Sequence, residues 1–65
     1  MKVKFHPNKI TTTTIRWEEE GDPDAHKVST IYVKKSTLKE LGVDTSKSLE
    51  DLAGTTLEVE LSVST

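Results

Sequence analysis

The sequence predicts a small α+β domain in which one layer of short helices packs on a three- or four-stranded sheet. Three observations support this fold class. Two β-rich stretches flank a loop of glycine, proline and aspartate, a short apolar segment with helix-capping residues follows, and the chain closes with strict apolar–polar alternation. The elements therefore run strand, strand, helix, strand. We expect residues 1–65 to form one domain, because 65 residues are too few for two cores.

The first two β-rich stretches are predicted to form an antiparallel hairpin over residues 10–34. Residues 10–19 and 26–34 are rich in the β-branched and aromatic types that suit a pleated surface. Residues 20–24, Glu-Gly-Asp-Pro-Asp, are typical of a turn. Alternation assigns one face of the hairpin to Thr11, Thr13, Ile15, Trp17, Ser29, Ile31 and Val33. It assigns the opposite, exposed face to Ile10, Val28, Thr30 and Tyr32.

A further short strand is predicted ahead of the hairpin, at residues 2–5. Val3 and Phe5 face inward in this strand, and Pro7 ends it because proline cannot donate to a β-ladder. The sequence leaves open the order in which the strands lie in the sheet.

A first helical turn is predicted after the hairpin. Thr37 and Glu40 match a capping box, in which a glutamate three residues after a threonine returns a hydrogen bond to the cap. Leu38 and Leu41 lie on one face of this turn, and Gly42 provides its end.

A second helical turn is predicted to begin at Ser48, with Asp51 three residues later, and to end at Gly54. The two turns together form a helical segment over residues 36–53.

The most regular pattern in the chain belongs to the final strand, predicted over residues 56–63. From Leu57 to Val63 apolar and polar residues alternate without a break, which is typical of a strand with one buried face. The predicted core then consists of Val3, Phe5, Ile15, Trp17, Ile31, Val33, Leu38, Leu41, Val43, Leu49, Leu52, Leu57, Val59, Leu61 and Val63.

Charge and composition exclude several classes of protein. Nine Lys and Arg residues against eleven Asp and Glu residues give a net charge of −2, which does not favour nucleic-acid binding. Without cysteine the chain can form neither a disulfide nor a thiolate zinc site. No run approaches the roughly 18 apolar residues of a membrane span, so we expect a cytoplasmic protein that contacts no membrane.

The sequence contains no pattern that indicates catalysis. It has no nucleophile elbow, paired-carboxylate pattern or glycine-rich phosphate loop. Asp22, Asp24 and His26 alternate in the turn, but the loop lacks the distal glutamate that a calcium-binding loop requires. We therefore expect a non-enzymatic protein without a cofactor, a metal site or a small-molecule substrate.

Two surface regions are candidate sites for a macromolecular partner. The first is a basic and aromatic surface of Arg16, Tyr32, Lys34 and Lys35. The second is an acidic surface of Glu18, Glu19, Glu20, Asp22 and Asp24. Exposed tyrosine and segregated charge are typical of protein-binding surfaces, and a final strand at a sheet edge can accept a partner strand. We expect a protein partner or a homodimer. Alternatively, the lysines contact phosphate groups.

Three motifs resemble small uncharacterised proteins of bacteriophage and bacterial genomes. They are residues 14–18 (Thr-Ile-Arg-Trp-Glu), residues 30–38 (Thr-Ile-Tyr-Val-Lys-Lys-Ser-Thr-Leu) and the alternating final strand. In those proteins an Arg-aromatic-x-Glu strand, a loop, a Thr-Ile/Leu-Tyr-Val-x-Lys strand and a terminal strand span nearly the whole chain. The resemblance implies an origin more than an activity, and a phage origin is compatible with an accessory protein that modulates a host or defence protein.

A second resemblance covers the latter half of the chain. Residues 28–33, 38–42 and 54–61 are similar to the AbrB-like swapped-hairpin family. Those proteins run strand, helix ending in Leu-Gly, then glycine and an alternating strand, and they dimerise to bind DNA. This resemblance implies a dimeric DNA-binding transcription regulator or antitoxin. Two functions therefore stay open, a protein-binding accessory protein and this regulator.

Overall fold

The computed structural model describes residues 1–64, and Thr65, the last residue of the predicted domain, lies outside them. Four strands, β1 (Lys2–Ile10), β2 (Thr14–Glu19), β3 (Thr30–Lys34) and β4 (Leu57–Glu60), form one sheet in the order β3-β2-β1-β4. All three strand pairs are antiparallel. Two helices, α1 (Lys35–Glu40) and α2 (Leu49–Leu52), contribute Leu38 and Leu52 to the core that covers one face of the sheet. The predicted α+β fold class is confirmed.

Strand β1 is longer than residues 2–5 and continues through Pro7, so the prediction that Pro7 ends it is wrong. The carbonyl of Lys4 accepts from Glu20 N, so Lys4 directs its backbone groups toward β2. By alternation, Phe5 and Pro7 direct theirs toward β4. Strand β4 pairs with β1 only as far as Phe5, so no strand lies beside Pro7 on that edge. The N–H that proline lacks therefore costs the sheet no ladder hydrogen bond.

Residues 10–19 were predicted as one strand, but Ile10 is the last residue of β1, a turn follows, and β2 begins at Thr14. Thr11 N donates to Thr14 O at 2.9 Å, and Thr14 N donates to Thr11 Oγ1 at 3.1 Å. The hydroxyls of these two threonines also lie 2.6 Å apart. Threonine favours strands, but its hydroxyl can also accept the hydrogen bond that closes a turn. Because the run of four threonines resembles a strand, this turn was not predicted. The predicted pairing of the two β-rich stretches is confirmed as β2 with β3.

The core has six buried side chains, which are Val3, Phe5, Ile15, Trp17, Leu38 and Leu52. Seven half-buried residues pack against them, namely Ile10, Val28, Ile31, Val33, Val43, Leu57 and Val59. Four residues predicted to be in the core are exposed, and they are Leu41, Leu49, Leu61 and Val63. Leu41 lies beyond the last residue of α1, and Leu61 and Val63 lie beyond the end of β4.

Ile10 and Val28 were predicted to be exposed, and both pack against the core instead. A β-bulge between Pro7 and Lys9 shifts the alternation by one residue, so Ile10 pairs with Ile15 and shares its buried side. Strand β3 begins at Thr30, so Val28 lies in the preceding loop, where strand alternation does not apply.

The two helical turns differ in how well their caps were predicted. Helix α1 begins at Lys35, ahead of Thr37, and its N-cap Lys34 makes no side-chain hydrogen bond, so the predicted capping box is wrong. Helix α2 is capped as predicted, because Ser48 Oγ accepts from Asp51 N at 3.3 Å. Within residues 1–64, neither the length nor the hydropathy of any helix is sufficient for a membrane crossing.

Candidate partner-binding surfaces

The face of the sheet opposite the core carries side chains from all four strands, and we call it the outer face. Both helices contribute to the core on the other side, and no element within residues 1–64 packs over the outer face. Its residues are Lys2, Lys4, His6, Asn8 and Lys9 from β1, Thr14, Arg16 and Glu18 from β2, Thr30, Tyr32 and Lys34 from β3, and Glu58 and Glu60 from β4.

Arg16 is held in place at the centre of the outer face by the bulged residue Asn8. The Asn8 side-chain carbonyl accepts from Arg16 Nε at 2.8 Å and also from Arg16 Nη2. The Asn8 amide donates to Glu18 Oε2 at 2.6 Å. Hydrogen bonds that involve charged groups are the stronger ones, so this network orients the guanidinium before any partner arrives.

Tyr32 lies directly beside Arg16, because the two residues are register partners in β3 and β2. The Tyr32 side chain is 63% exposed. Lys9 pairs with Arg16 from the other side, and Lys34 follows Tyr32 by two residues on the same face. The structure therefore brings together three of the four predicted basic and aromatic residues, Arg16, Tyr32 and Lys34.

Lys35 does not join the outer face, since it opens α1 beyond the end of the sheet. It lies at a shallow groove of about 570 Å³ that we call the lysine groove. The residues that line this groove are Thr12, Thr13, Lys34, Lys35, Ser36 and Lys39.

The five acidic residues predicted to form one surface are divided among three places. Glu18 lies on the outer face, and Glu20, Asp22 and Asp24 are exposed in the loop between β2 and β3. Asp22 caps a 3₁₀ turn over Pro23–Ala25 by accepting from Asp24 N at 3.0 Å. Glu19 is only 7% exposed, so its assignment to an exposed acidic surface is wrong.

Glu19 turns toward the core side because it follows Ile15 and Trp17 in alternation along β2. Its carboxylate accepts hydrogen bonds from three consecutive backbone amides, those of Lys27, Val28 and Ser29, at 2.7–3.0 Å. Burial raises the pKa of Glu19, but these amides together with the charge of His26 outweigh burial and bring the pKa from 4.5 to about 2. Glu19 thus organises the loop that leads into β3, where Ser29 has a φ of 77°.

The sequence gives only an indirect indication of this role for Glu19. Glu18, Glu19 and Glu20 are identical in type and adjacent, and only the strand register shows that the middle one points inward. Two partial signals exist in retrospect, namely the alternation from Ile15 to Trp17 to Glu19 and the β-rich stretch that follows the loop.

Strand β4 occupies one edge of the sheet. Next to it lies a small apolar cluster of Met1, Leu61 and Val63, which we call the terminal patch. Val63 is 89% exposed, and Leu61 is 38% exposed. The edge of β4 and the terminal patch are therefore continuous.

The histidines and the remaining carboxylates do not converge. Within residues 1–64, no group of three His, Asp or Glu side chains is placed to hold a metal ion. His26 Nε2 lies 3.2 Å from Gly21 O, and His6 pairs in register with Glu18 on the outer face.

Comparison of the chain with protein-family models, curated proteins and solved structures finds no match. The resemblances to the phage-type proteins and to the AbrB-like family therefore stay predictions.

Proposed function

We propose that this is a non-enzymatic accessory protein that binds another protein through the outer face of its sheet. The observation that carries the proposal is Tyr32, mostly exposed beside an Arg16 that Asn8 and Glu18 hold in place. Tyrosine and arginine are among the residues that contribute most to protein–protein binding energy. A side chain that is already ordered loses less conformational entropy on binding, so the network around Arg16 favours affinity.

The mixed charge of the outer face supports a protein rather than a polyanion as the partner. Five cations, Lys2, Lys4, Lys9, Arg16 and Lys34, are interspersed with three carboxylates, Glu18, Glu58 and Glu60, on the same face. A surface that carries both positive and negative charges favours a partner with the complementary charge pattern, whereas nucleic acid requires a continuous basic surface. In line with the phage-type resemblance, we propose a host or defence protein as the partner.

The experiment that tests this function is affinity capture from a host lysate with a matched set of variants. The surface variant combines Arg16→Gln, Tyr32→Ser and Lys34→Gln, and the control is Lys47→Gln, an exposed lysine in the segment between the helices. Nuclease treatment removes nucleic-acid bridges, and the fluorescence of the buried Trp17 verifies folding of each variant.

We expect one stoichiometric protein that survives nuclease, is captured by the wild type and by Lys47→Gln, and is lost with the surface variant. Full capture by a folded surface variant would show that the outer face is not the binding site. Capture of nucleic acid alone would refute a protein-binding function.

The second candidate function is the AbrB-like DNA-binding regulator, and the lysine groove is the observation that favours it. Lys34, Lys35 and Lys39 lie there together with three hydroxyl side chains, and such groups contact phosphates. This function requires a dimer and a DNA affinity that falls steeply with salt. A monomer by light scattering, or a DNA affinity unchanged by Lys35→Gln and Lys39→Gln, would eliminate it.

A further inference from the structure

We propose that the free edge of β4 accepts an extended segment of the partner protein, and that this segment alternates basic and apolar residues. The proposal rests on the protein-binding function above and names the chemistry of the bound segment. It follows from three features of β4, which are the direction of its free backbone groups, the charge of its outward side chains and the incomplete cover of its apolar side.

The backbone groups available on the edge of β4 belong to Glu58 and Glu60. Leu61 N donates to Met1 O and Met1 N donates to Leu61 O, both at 2.7 Å, so this pair exchanges both hydrogen bonds. Such pairs alternate along an antiparallel ladder. Val59 therefore also faces β1, whereas Glu58 and Glu60 direct N–H and C=O away from it. Residues of an incoming antiparallel strand would pair directly with these two glutamates.

Strand β1, which pairs with the other edge of β4, indicates which charge an incoming residue should carry opposite Glu58 and Glu60. Lys2 pairs with Glu60 and Lys4 pairs with Glu58. Lys2 Nζ also lies 3.6 Å from Glu58 Oε1. Opposite charges across an antiparallel pair stabilise it and like charges destabilise it. A strand added to the free edge meets the same two carboxylates, so basic residues are favoured opposite them.

The alternate residues of the incoming strand would be apolar, as Val3 and Phe5 are in β1. Leu57 and Val59 lie on the core side of β4 and are only half-buried. The terminal patch extends this apolar row beyond the end of β4. Apolar side chains from a partner strand would cover this row, which nothing within residues 1–64 covers completely.

Repulsion between like charges disfavours a second copy of the chain at this edge. Two β4 strands paired antiparallel about a two-fold axis at Val59 would place Glu58 of each copy opposite Glu60 of the other. Strand β1 has the complementary basic and apolar pattern, but it lies between β2 and β4 and is not free to pair.

The test is a titration of the full chain with short blocked peptides, followed by the backbone amide resonances of β4. The probes are Lys-Val-Lys-Phe-Lys-Val, its charge-reversed form Glu-Val-Glu-Phe-Glu-Val and the neutral form Ser-Val-Ser-Phe-Ser-Val. We expect the basic peptide to shift the amides of Glu58 and Glu60 and to bind about tenfold more tightly than the acidic one, since two like-charged pairs replace two attractive ones.

Two substitutions at one position separate the contribution of charge from that of the backbone. Glu60→Gln removes the charge and keeps the outward N–H, so the preference for the basic over the acidic peptide should decrease. Glu60→Pro also removes the N–H without disturbing the ladder to β1, and its binding should fall further for all three peptides.

Several outcomes would overturn the inference. These are equal binding of all three peptides, shifts confined to β3, or unchanged binding by Glu60→Pro. Self-association of the wild type with shifts at β4 would identify a second copy as the occupant and refute the proposal. If the peptides fail to bind β4 while lysate capture still requires Tyr32, the edge inference fails and the proposed function stands.

Discussion

The centre of the sheet and its C-terminal edge have similar sequence patterns but very different degrees of burial. In β1 and β2, Phe5, Ile15 and Trp17 are completely buried. From Leu57 to Val63 the alternation is the most regular in the chain, yet burial decreases along this stretch, from half-buried residues in β4 to an exposed Val63. Alternation indicates which face of a strand is apolar. It does not indicate whether another element covers that face.

The position of each strand in the sheet explains the difference. Strands β1 and β2 are central and lie beneath Leu38 and Leu52, whereas β4 is an edge strand with a neighbour on one side only. We therefore expect mutations to have large effects on stability at the centre and small effects at the edge, where exposed apolar residues are available to a partner. Four predictions test this contrast, from the largest expected effect to the smallest.

The largest effect is expected for Phe5→Ala in β1. Removing a fully buried phenylalanine costs about 3–5 kcal/mol of unfolding free energy, which is a large part of the stability of so small a domain. Urea denaturation followed by circular dichroism and Trp17 fluorescence would measure it. The milder Phe5→Leu should retain a cooperative transition. A decrease of less than about 1 kcal/mol in the free energy of unfolding for Phe5→Ala would contradict the view that contacts at the centre of the sheet provide most of the stability.

The next effect concerns pH and the carboxylate of Glu19. Because its pKa falls from 4.5 to about 2 on folding, the unfolded chain binds the proton more readily between these values. The stabilisation is therefore complete above about pH 4.5 and is lost as the pH falls toward 2. Glu19→Gln should lower stability at neutral pH and flatten its dependence on pH over this window. Glu20→Gln, in an exposed neighbour, is the control and should lower the stability at neutral pH far less than Glu19→Gln.

A smaller effect is expected at Ser29, whose φ of 77° is unfavourable for a residue with a side chain. Ser29→Gly removes this strain but adds freedom to the unfolded chain, so the net gain should be about 0.5–1 kcal/mol. Ser29→Ala keeps the strain and the backbone N–H, so its stability should equal that of the wild type. A destabilised glycine variant in thermal or urea denaturation would show that the loop tolerates this φ without cost.

The smallest effect is expected at the terminal patch. Val63→Ser should change the free energy of unfolding by less than about 0.5 kcal/mol, because the side chain is almost fully exposed. The same substitution should weaken binding of the basic peptide, whose apolar residues would extend over this patch. A stability loss comparable to that of Phe5→Ala would remove the distinction between the centre and the edge.

Much of the fold follows from local chemistry in the sequence. The pairing of β2 with β3, the Ser48 cap of α2 and the inward direction of Phe5, Ile15 and Trp17 were all predicted correctly. The turn before β2 was not, because threonine is compatible with both a strand and a hydroxyl-closed turn. The full length of β1 was not predicted, because Pro7 fits in the strand only where β4 no longer pairs with it. That information depends on the position of another strand.

Some features of the candidate surfaces could likewise be predicted from the sequence, and others could not. That Arg16, Tyr32 and Lys34 share one face follows from alternation within two paired strands, so the sequence could predict it. The anchoring of Arg16 by Asn8 depends on a bulge, and the burial of Glu19 depends on three amides supplied by a loop. Alternation places Glu19 on the same face as Ile15 and Trp17, but neither the bulge at Asn8 nor the three loop amides correspond to a residue pattern that can be recognised without the register.

The pairing of β1 with β4 also has a consequence for synthesis on the ribosome. Residues 2–5 are made before the other three strands, whereas the strand that pairs with them on one side, Leu57–Glu60, is made after those other strands of the sheet. Until that strand emerges, the N-terminal half of β1 has an open edge that could pair with other nascent chains. Lys2 and Lys4 lie on the outer face of this edge strand, and lysines on an open edge strand oppose such aggregation. We therefore expect Lys2 and Lys4, which pair with Glu60 and Glu58 in the folded sheet, to oppose aggregation until β4 is made.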